Sequence, residues 1–334
     1  MKEINRVVIP AKGVRSLCWQ GDALIDWLRG GNLYNLDGTS RPSSINWASC
    51  FDQAVTSPDG RFAVIYEARG TKGLVLKDGV LVREINRSYY YASAYEYPVV
   101  LFALPDGRNL LAHCPEKYNK LEIEDAETGE CLTQRSSETV DFFQSRLRVS
   151  SDGKRLMSAG WIWSPLDYVL LYDTEQILAE PALLDAGPDW SLVAAGTEIP
   201  NAAFAENGTA VFVGADAYYD EDDQDEEEKN AFVLRPGQIG RYSLSEKRLL
   251  TIAPIEEPLG TLMPVEEYVV GFYEHPKLVE VATGEIVARW PELKTRKQSS
   301  SIGGLSQLPP IALDALNKRF AVADGEQITV IQLG

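Results

Sequence analysis

Side chains that could recognise another molecule are concentrated in three segments of this sequence, whereas side chains suited to catalysis are scattered. The two histidines, His113 and His275, have no second histidine at a metal-binding spacing. The chain lacks the Gly-x-Ser-x-Gly, P-loop and Gly-x-Gly-x-x-Gly motifs of nucleophile elbows and nucleotide sites. Its four cysteines form no Cys-x-x-Cys pair. We therefore predict no catalytic residues, no cofactor and no metal site.

The first recognition segment is a run of tyrosines. Tyrosine is a favoured interface residue because it buries a large ring and keeps a polar tip. Two interpretations stay open for these rings, namely contact with a partner and packing between neighbouring structural elements, and both can hold for different residues. Five tyrosines lie within the nine residues 89–97 and are predicted to bind a partner: Tyr89, Tyr90, Tyr91, Tyr95 and Tyr97.

The second segment contains two tryptophans, Trp161 and Trp163. Residues two positions apart on a β-strand point to the same side, so these rings share one face if the segment is extended. On an exposed loop they would form a binding patch, and inside the fold they would pack between elements. We include both as candidate partner-binding residues.

The third segment is strongly acidic, since eight of the nine residues 220–228 are Asp or Glu. One interpretation is a docking segment for a basic protein, whose approach it would accelerate. A calcium site is a second, although the run lacks the central glycine and spacing of an EF-hand. A solvated loop of repelling charges is a third. The candidate partner-binding residues here are Tyr218, Tyr219, Asp220, Glu221, Asp222, Asp223 and Asp225.

The charge of the chain limits its classes of partner. Its net charge is −17 at pH 7, whereas nucleic-acid binding requires a basic surface. We therefore expect a protein partner, for which a basic protein is one candidate, and no nucleic acid. No stretch of ~18 apolar residues could span a membrane, and the first 20 residues lack the apolar region of a signal peptide. These observations predict no membrane contact and a cytoplasmic location.

The elements that position these segments are indicated by a recurring turn. Asp-Gly or Asn-Gly occurs at Asp59, Asp106, Asp152 and Asn207, each followed by an apolar stretch. Such pairs tolerate the positive φ of a tight hairpin. They recur every 46 to 55 residues, close to the ~40–50 residues of a four-stranded propeller blade.

A second recurring turn follows later in several units. Thr-Gly-Glu occurs at residues 128–130 and 283–285, each time after an alternating apolar stretch. Residues 77–79 and 172–175 occupy the corresponding place in their units. The spacing predicts that these segments join the third and fourth strands of a blade.

Together, the Ser-Pro-Asp-Gly and Thr-Gly-Glu turns resemble those of WD40-like and related bacterial propeller repeats. The resemblance implies an all-β, seven-bladed β-propeller, although no Trp-Asp or Gly-His dipeptide is present. The last unit has three strands, and residues 4–9 are expected to supply its fourth and close the ring. As a single domain, 1–334, the chain divides into blades at about residues 13–46, 47–92, 93–139, 140–192, 193–256, 257–305 and 306–334.

The leading functional hypothesis is a non-catalytic protein-binding propeller, for example a bacterial immunity protein or inhibitor. One alternative is a hydrolase or lyase acting on a sugar or peptide at the channel mouth, which would require inward-facing carboxylates. Another is a scaffold subunit of a larger assembly, which would expose an apolar patch on one face. The sequence leaves the oligomeric state undefined.

Overall fold

The regular structure of the chain is almost entirely β-strand, arranged in seven antiparallel sheets that we number as blades 1–7 in chain order. The chain forms a seven-bladed β-propeller, which confirms the predicted fold class. The computed structural model describes residues 1–45, 47, 50–136, 138–163, 166–185, 197–214, 232–297, 301–302 and 308–334.

The strands are numbered from the N-terminal strand, β1 (Glu3–Pro10). Blade 1 contains β2 (Cys18–Gln20), β3 (Ala23–Asp26), β4 (Asn32–Asn35) and β5 (Ser40–Arg41). Blade 2 contains β6 (Gln53–Thr56), β7 (Phe62–Tyr66), β8 (Lys72–Lys77) and β9 (Val80–Asn86). Blade 3 contains β10 (Val99–Ala103), β11 (Asn109–His113) and β12 (Glu122–Asp125). Blade 4 contains β13 (Leu147–Val149), β14 (Arg155–Ile162) and β15 (Leu166–Asp173).

The remaining blades follow the same order. Blade 5 contains β16 (Asn201–Ala205), β17 (Thr209–Val213), β18 (Gln238–Ser243) and β19 (Arg248–Pro254). Blade 6 contains β20 (Leu262–Val265), β21 (Tyr268–Gly271), β22 (Lys277–Glu280) and β23 (Ile286–Arg289). Blade 7 contains β24 (Ile311–Asp314), β25 (Arg319–Ala323) and β26 (Gln327–Leu333), together with β1.

The blades are arranged around a central channel. The first strand of each blade lies innermost, and first strands of neighbouring blades contact one another, as β2 does with β6 and with β24. The apolar side chains fill the space between successive sheets, for example where the rings of Phe272, Trp290 and Phe320 meet edge to face between blades 6 and 7. That residues 1–334 form one domain, divided at the predicted boundaries, stays a prediction.

The ring closes through the two ends of the chain. Strand β1 pairs antiparallel with β26, so that Val7 lies opposite Val330 and Ile9 opposite Ile328. Blade 7 thereby gains its fourth strand, and the outer edge of β26 is hydrogen-bonded rather than exposed. This confirms the predicted closure by the N-terminal strand.

The tight turns between first and second strands have the predicted chemistry. Oδ1 of Asp59 accepts the backbone N–H of Arg61 at 3.0 Å, and Gly60 adopts a φ of 72°. Asp106 and Asp152 each accept the same hydrogen bond from the backbone N–H of the residue two positions later. The aspartate fixes the turn, and glycine supplies the left-handed conformation that other residues adopt at a cost.

Blades 3 and 4 depart from the four-stranded pattern. In blade 3 the fourth strand is reduced to a single bridge between Glu124 and Cys131. In blade 4 the residues predicted to turn into a fourth strand instead begin a helix, α1 (Thr174–Ala179). The carboxylate of Asp173 accepts the N–H of Gln176 at 3.0 Å and caps that helix, which is why the turn prediction at this place was wrong.

In the described ranges, the other helical segments are two short 3₁₀ turns, Trp27–Arg29 and Pro181–Asp185. Among the residues that the structure describes, no helix has the length and apolar character needed to cross a membrane.

The closing strand supplies a matched test of its contribution to stability. Ile9 is fully buried between blades 7 and 1, whereas Ile4 on the same strand is 59% exposed. We expect Ile9→Ala to lower the free energy of unfolding by about 2–5 kcal/mol, because it removes buried methyl groups and leaves a cavity. Urea unfolding followed by circular dichroism measures the change.

Ile4→Ala is the control, since it removes the same atoms from an exposed position, and a change within about 0.5 kcal/mol is expected. Equal effects of the two substitutions would show that β1 contributes no packing to the ring.

Candidate functional site

The antiparallel order of the strands gives the propeller two different faces. The short turns that join first to second strands, and third to fourth strands, lie on one face. The connections from second to third strands, and from one blade to the next, lie on the opposite face. We name this second face the connection face. It carries residues 87–98, which join blades 2 and 3, residues 114–121 of blade 3, and the end of β14.

Phe143 lies at the centre of an aromatic cluster on the connection face. Its ring stacks on Trp161, with centroids 3.7 Å apart and an interplanar angle of 10°, and on Tyr118 at 4.2 Å. Each such ring pair adds about 0.5–1.5 kcal/mol beyond the burial of its area. The aromatic cluster has seven members, each within 6.3 Å of the Phe143 ring centre: Tyr90, Tyr91, Tyr95, Tyr118, Phe143, Trp161 and Trp163.

Exposure divides the predicted aromatic residues into two groups. Tyr95, Tyr97 and Trp161 are at most 2% exposed, so their rings fill the interior beneath the surface rather than meet a partner. The other four predicted rings lie on the surface of the connection face, and we name them the aromatic patch: Tyr89 (82% exposed), Tyr90 (44%), Tyr91 (50%) and Trp163 (41%). Packing inside the fold therefore applies to Tyr95, Tyr97 and Trp161, and partner contact stays a prediction for the aromatic patch.

The end of β14 positions the centre of the cluster. Phe143 and Trp161 exchange two backbone hydrogen bonds, of 2.8 and 3.2 Å. A Cβ on Gly160 would lie 1.9 Å from the Phe143 carbonyl oxygen, so glycine is needed for this close approach. Trp163 follows Trp161 by two residues, and their rings meet edge to face at 5.3 Å. Their two-residue spacing predicts a shared orientation, but the Trp161 ring lies inside the fold and the Trp163 ring at the surface.

Arg87 holds the tyrosine-rich connection in place. Its buried guanidinium donates to the carbonyl oxygens of Gly70 at 2.7 Å, Ala92 at 2.6 Å and Tyr95 at 3.0 Å. The same group lies 4.6 and 5.0 Å from the ring centres of Tyr95 and Tyr97. Burial lowers the pKa of this guanidinium from its usual value. The connection is therefore tied to blade 2 by a fork of charged hydrogen bonds.

Tyr91 has a backbone conformation that orients the patch. Its φ is 52°, in the left-handed region that costs a non-glycine residue about 1–2 kcal/mol. Two turn hydrogen bonds enclose it, from Ala92 N–H to the Tyr89 carbonyl at 3.2 Å and from Ala94 N–H to the Tyr91 carbonyl at 2.8 Å. Strained residues of this kind are frequent at functional sites.

The border of the cluster is polar and largely acidic. The hydroxyl of Tyr118 donates to Asp141 at 2.7 Å. Burial and this carboxylate raise the pKa of Tyr118, so the phenol stays protonated and remains a donor. Glu116 and Lys117 are exposed beside it on the same connection. An apolar centre with a charged border is the usual arrangement of a protein interface.

The acidic segment is attached to the same face. It joins the second and third strands of blade 5, and its flanking residues Gly214 and Phe232 follow and precede strands that meet at the connection face. The predicted residues lie at 215–231, outside the described part of the chain: Tyr218, Tyr219, Asp220, Glu221, Asp222, Asp223 and Asp225.

Two members of the cluster, Tyr118 and Phe143, were missed by the sequence analysis. They lie in two separate connections, 21 residues after Tyr97 for Tyr118 and 18 residues before Trp161 for Phe143. Tyr118 has no aromatic neighbour within two residues, whereas Phe143 directly follows Phe142. Arg87 was also missed, although its position two residues before the tyrosine run is a local signal for a residue that anchors a loop.

The central channel has a different character. The half nearest the connection face is lined by two arginines, Arg146 and Arg148, and by one carboxylate, Glu96, among the residues that the structure describes. Burial raises the pKa of Glu96, and the two arginines oppose the shift. The pair of facing carboxylates that glycoside hydrolysis employs is not formed by these described residues. They also contain no group of three acidic, cysteine or histidine residues that could hold a metal ion.

The fold and this site define a seven-bladed β-propeller with an aromatic patch on one face. Solved structures with the same fold include a chain of the mitotic checkpoint complex, at a TM-score of 0.58 and 11% identity over 99% of this chain and 94% of that chain. BamB from Moraxella catarrhalis matches with a TM-score of 0.52 and 11% identity, over 99% and 97%. At such identities the likeness concerns the fold alone. No protein-family model and no curated protein matches the sequence.

Replacing the anchoring arginine provides a test of how the patch is held. We expect Arg87→Lys to speed amide hydrogen exchange in residues 88–97, since one ammonium group cannot reach carbonyls that a forked guanidinium joins. The free energy of unfolding should fall by about 1–3 kcal/mol. Exchange measured by mass spectrometry reports on the segment directly.

Arg61→Lys serves as the control, because Arg61 is exposed on the opposite face. Unchanged exchange at residues 88–97 in the Arg87 variant would show that the connection is held by its ring contacts alone.

Proposed function

We propose that this chain is a non-catalytic protein-binding module that contacts its partner through the aromatic patch. The observation that supports this proposal is that four large rings are exposed together on one face: Tyr89, Tyr90, Tyr91 and Trp163. Grouped rings of this kind are characteristic of interface hot spots, where tyrosine and tryptophan predominate.

The rigidity of the support favours binding. Tyr90, Tyr91 and Trp163 rest on Phe143, which is itself fully buried and stacked on Trp161. Rings that are held before contact lose little conformational freedom when a partner covers them, so more of the contact energy appears as affinity. A patch required only for stability would be covered by the rest of the fold.

The similar solved chains support a protein partner in general terms. One of them belongs to the mitotic checkpoint complex, so a propeller of this shape can serve within an assembly. A scaffold subunit would use the same patch. The number of partners that the chain captures distinguishes a scaffold from a module that binds a single partner. The hydrolase or lyase alternative has less support, since in the half of the channel nearest the connection face Glu96 faces arginines rather than a second carboxylate of the described lining.

The charge of the chain supports a basic partner. The net charge is −17, and the acidic residues 220–228 are attached to the face that carries the patch. Long-range attraction between these negative charges and a basic protein would concentrate that protein near the patch and speed its association. A specific form of the proposal is an immunity protein or inhibitor that covers a basic target in a bacterial cytoplasm.

The patch is tested by single substitutions. A tagged chain captures the partner from native lysate at low salt, and the purified partner is then titrated against each variant. We expect Tyr90→Ala, Tyr91→Ala and Trp163→Ala each to raise Kd by about tenfold or more, because each removes an interfacial ring. Biolayer interferometry measures the constants.

The matched control is Val80→Ala with Leu81→Ala, which removes exposed apolar side chains from β9, an outer strand away from the patch. If all three ring variants bind like the control, the patch is not the interface and the proposal is overturned.

The acidic segment is tested separately by charge removal at constant length. Changing every Asp to Asn and every Glu to Gln within residues 220–228 should slow association by about tenfold at low salt and leave dissociation nearly unchanged. Stopped-flow mixing at two ionic strengths measures both rates. An association rate that is unchanged and equally salt-dependent would remove this segment from the proposed interface.

A further inference from the structure

The central channel contains two joined cavities. The one nearer the connection face has a volume of ≈ 290 Å³ and the deeper one ≈ 390 Å³. They share lining residues on innermost strands of different blades, among them Arg148 on β13 and Leu262 on β20. Sites for small molecules typically have about 300–1,000 Å³, so the joined space is of suitable size.

Arg146 lines the first cavity with one amino group left without a hydrogen bond. Its Nε donates to the Ala159 carbonyl at 3.1 Å, which fixes the direction of the guanidinium. The buried Nη2 donates no hydrogen bond to the described part of the chain and lies 3.8 Å from Asp167. That carboxylate already accepts the N–H and the hydroxyl of Ser301. The backbone of Arg146 is also in the left-handed region, with a φ of 43°.

Arg148 lies two residues later, where the two cavities join. Its Nη1 is 3.4 Å from the Leu262 carbonyl across the channel, a weak bond at that length. No carboxylate of the described residues forms an ion pair with it within 4.0 Å. The guanidinium groups of Arg146 and Arg148 thus face the same space. Arg146 has one carboxylate 3.8 Å away, that of Asp167, and Arg148 has the weak contact with the Leu262 carbonyl.

Glu96 is the nearest acid in this half of the channel, and it does not neutralise the arginines. Its Oε1 accepts the Tyr66 hydroxyl at 3.5 Å rather than a guanidinium. Burial raises the pKa of Glu96 despite the arginines, which favours its uncharged form. Two guanidinium groups and one carboxylate are the charged groups in the described lining, in a protein whose net charge is −17. Arg146 is paired only at 3.8 Å, with Asp167, so an anion between the two arginines would supply charged hydrogen-bond partners that the described lining lacks.

The deeper cavity is mainly apolar. Beyond Arg148 it is lined by aliphatic and aromatic side chains from the innermost strands, and the acids Glu206 and Asp314 lie at its edge. The apolar lining comes from Val100, Leu147, Val149, Phe204, Leu262, Met263, Leu313 and Leu316. An occupant of both cavities would need a charged end and an apolar end.

We propose that the channel binds a small organic anion, with its carboxylate or phosphate group between Arg146 and Arg148 and its apolar part in the deeper cavity. The forked guanidinium is suited to both anionic groups, since each offers paired oxygens. This site is separate from the aromatic patch and stands independently of the proposed partner binding.

The proposal is tested by calorimetric titration of the full chain with defined probes. Octanoate and octyl phosphate should each bind with a stoichiometry of one, and their order of affinity identifies the preferred anionic group. Acetate and inorganic phosphate should bind at least about tenfold more weakly, because they bury no apolar part. Octanol, which lacks the charge, should also be weaker. Equal binding of octanol and octanoate, or no binding of either anion, would overturn the proposal.

Substitutions locate the site. Arg146→Gln and Arg148→Gln should each weaken octanoate binding by about tenfold or more, since each removes a charged hydrogen-bond donor. Arg248→Gln is the matched control, because Arg248 is an exposed residue of the outer strand β19. Arg148→Lys keeps the charge and should lose only part of the affinity. If circular dichroism shows that the variants are folded and they bind octanoate as tightly as the control, the channel is excluded as the binding site.

Glu96 gives the site a predicted pH dependence. The charged and titratable groups facing it are Arg146, Arg148, Arg87 and Tyr66. Guanidinium groups keep their charge in proteins, and burial raises the pKa of Tyr66 above its usual value. As pH rises through the raised pKa of Glu96, its new negative charge should weaken the binding of octanesulfonate, a probe whose own charge stays constant. Glu96→Gln should remove this dependence. A dependence retained in the Gln variant would assign the titration to another group.

Discussion

Antiparallel pairing within each blade places every second connection on the same face, and the candidate site depends on this alternation. Tyr118 and Phe143 belong to two different connections and Trp161 to the end of β14, yet the Phe143 ring stacks on both others because all three segments reach the connection face. The pairing of β1 with β26 completes the ring and so holds the blades in the positions that bring these segments together. Local sequence creates none of these ring contacts by itself.

The fold was largely predictable, because its main signals are local. An Asp-Gly turn such as Asp59-Gly60 needs only its own residues to bend the chain, and its recurrence reveals the length of a blade. The exceptions arose where two local preferences compete. At Asp173 the same carboxylate that suits a turn also caps a helix, and the following residues form α1 rather than turning directly into a strand.

The site was predictable only in part, because burial is decided by distant segments. The two-residue spacing of Trp161 and Trp163 predicts a shared direction, but the arrival of Phe143 determines which ring is covered. The tyrosine run identifies the right connection, while the sorting of its rings follows from the buried Arg87 beneath it. The positive channel gave no signal in a strongly acidic sequence, since the ring of innermost strands alone brings its lining residues together.

The three consecutive residues Tyr95, Glu96 and Tyr97 lie between the two sites. Tyr95 supports the aromatic cluster, Glu96 faces the channel, and Tyr97 packs against the Arg87 guanidinium that holds the connection. A molecule in the channel and a protein on the face would therefore act on one short stretch of backbone. Thermodynamic linkage makes such an effect reciprocal, so whatever factor channel occupancy applies to partner affinity, the partner applies to channel affinity. One short segment of backbone thus joins the lining of the channel to the aromatic cluster at the surface.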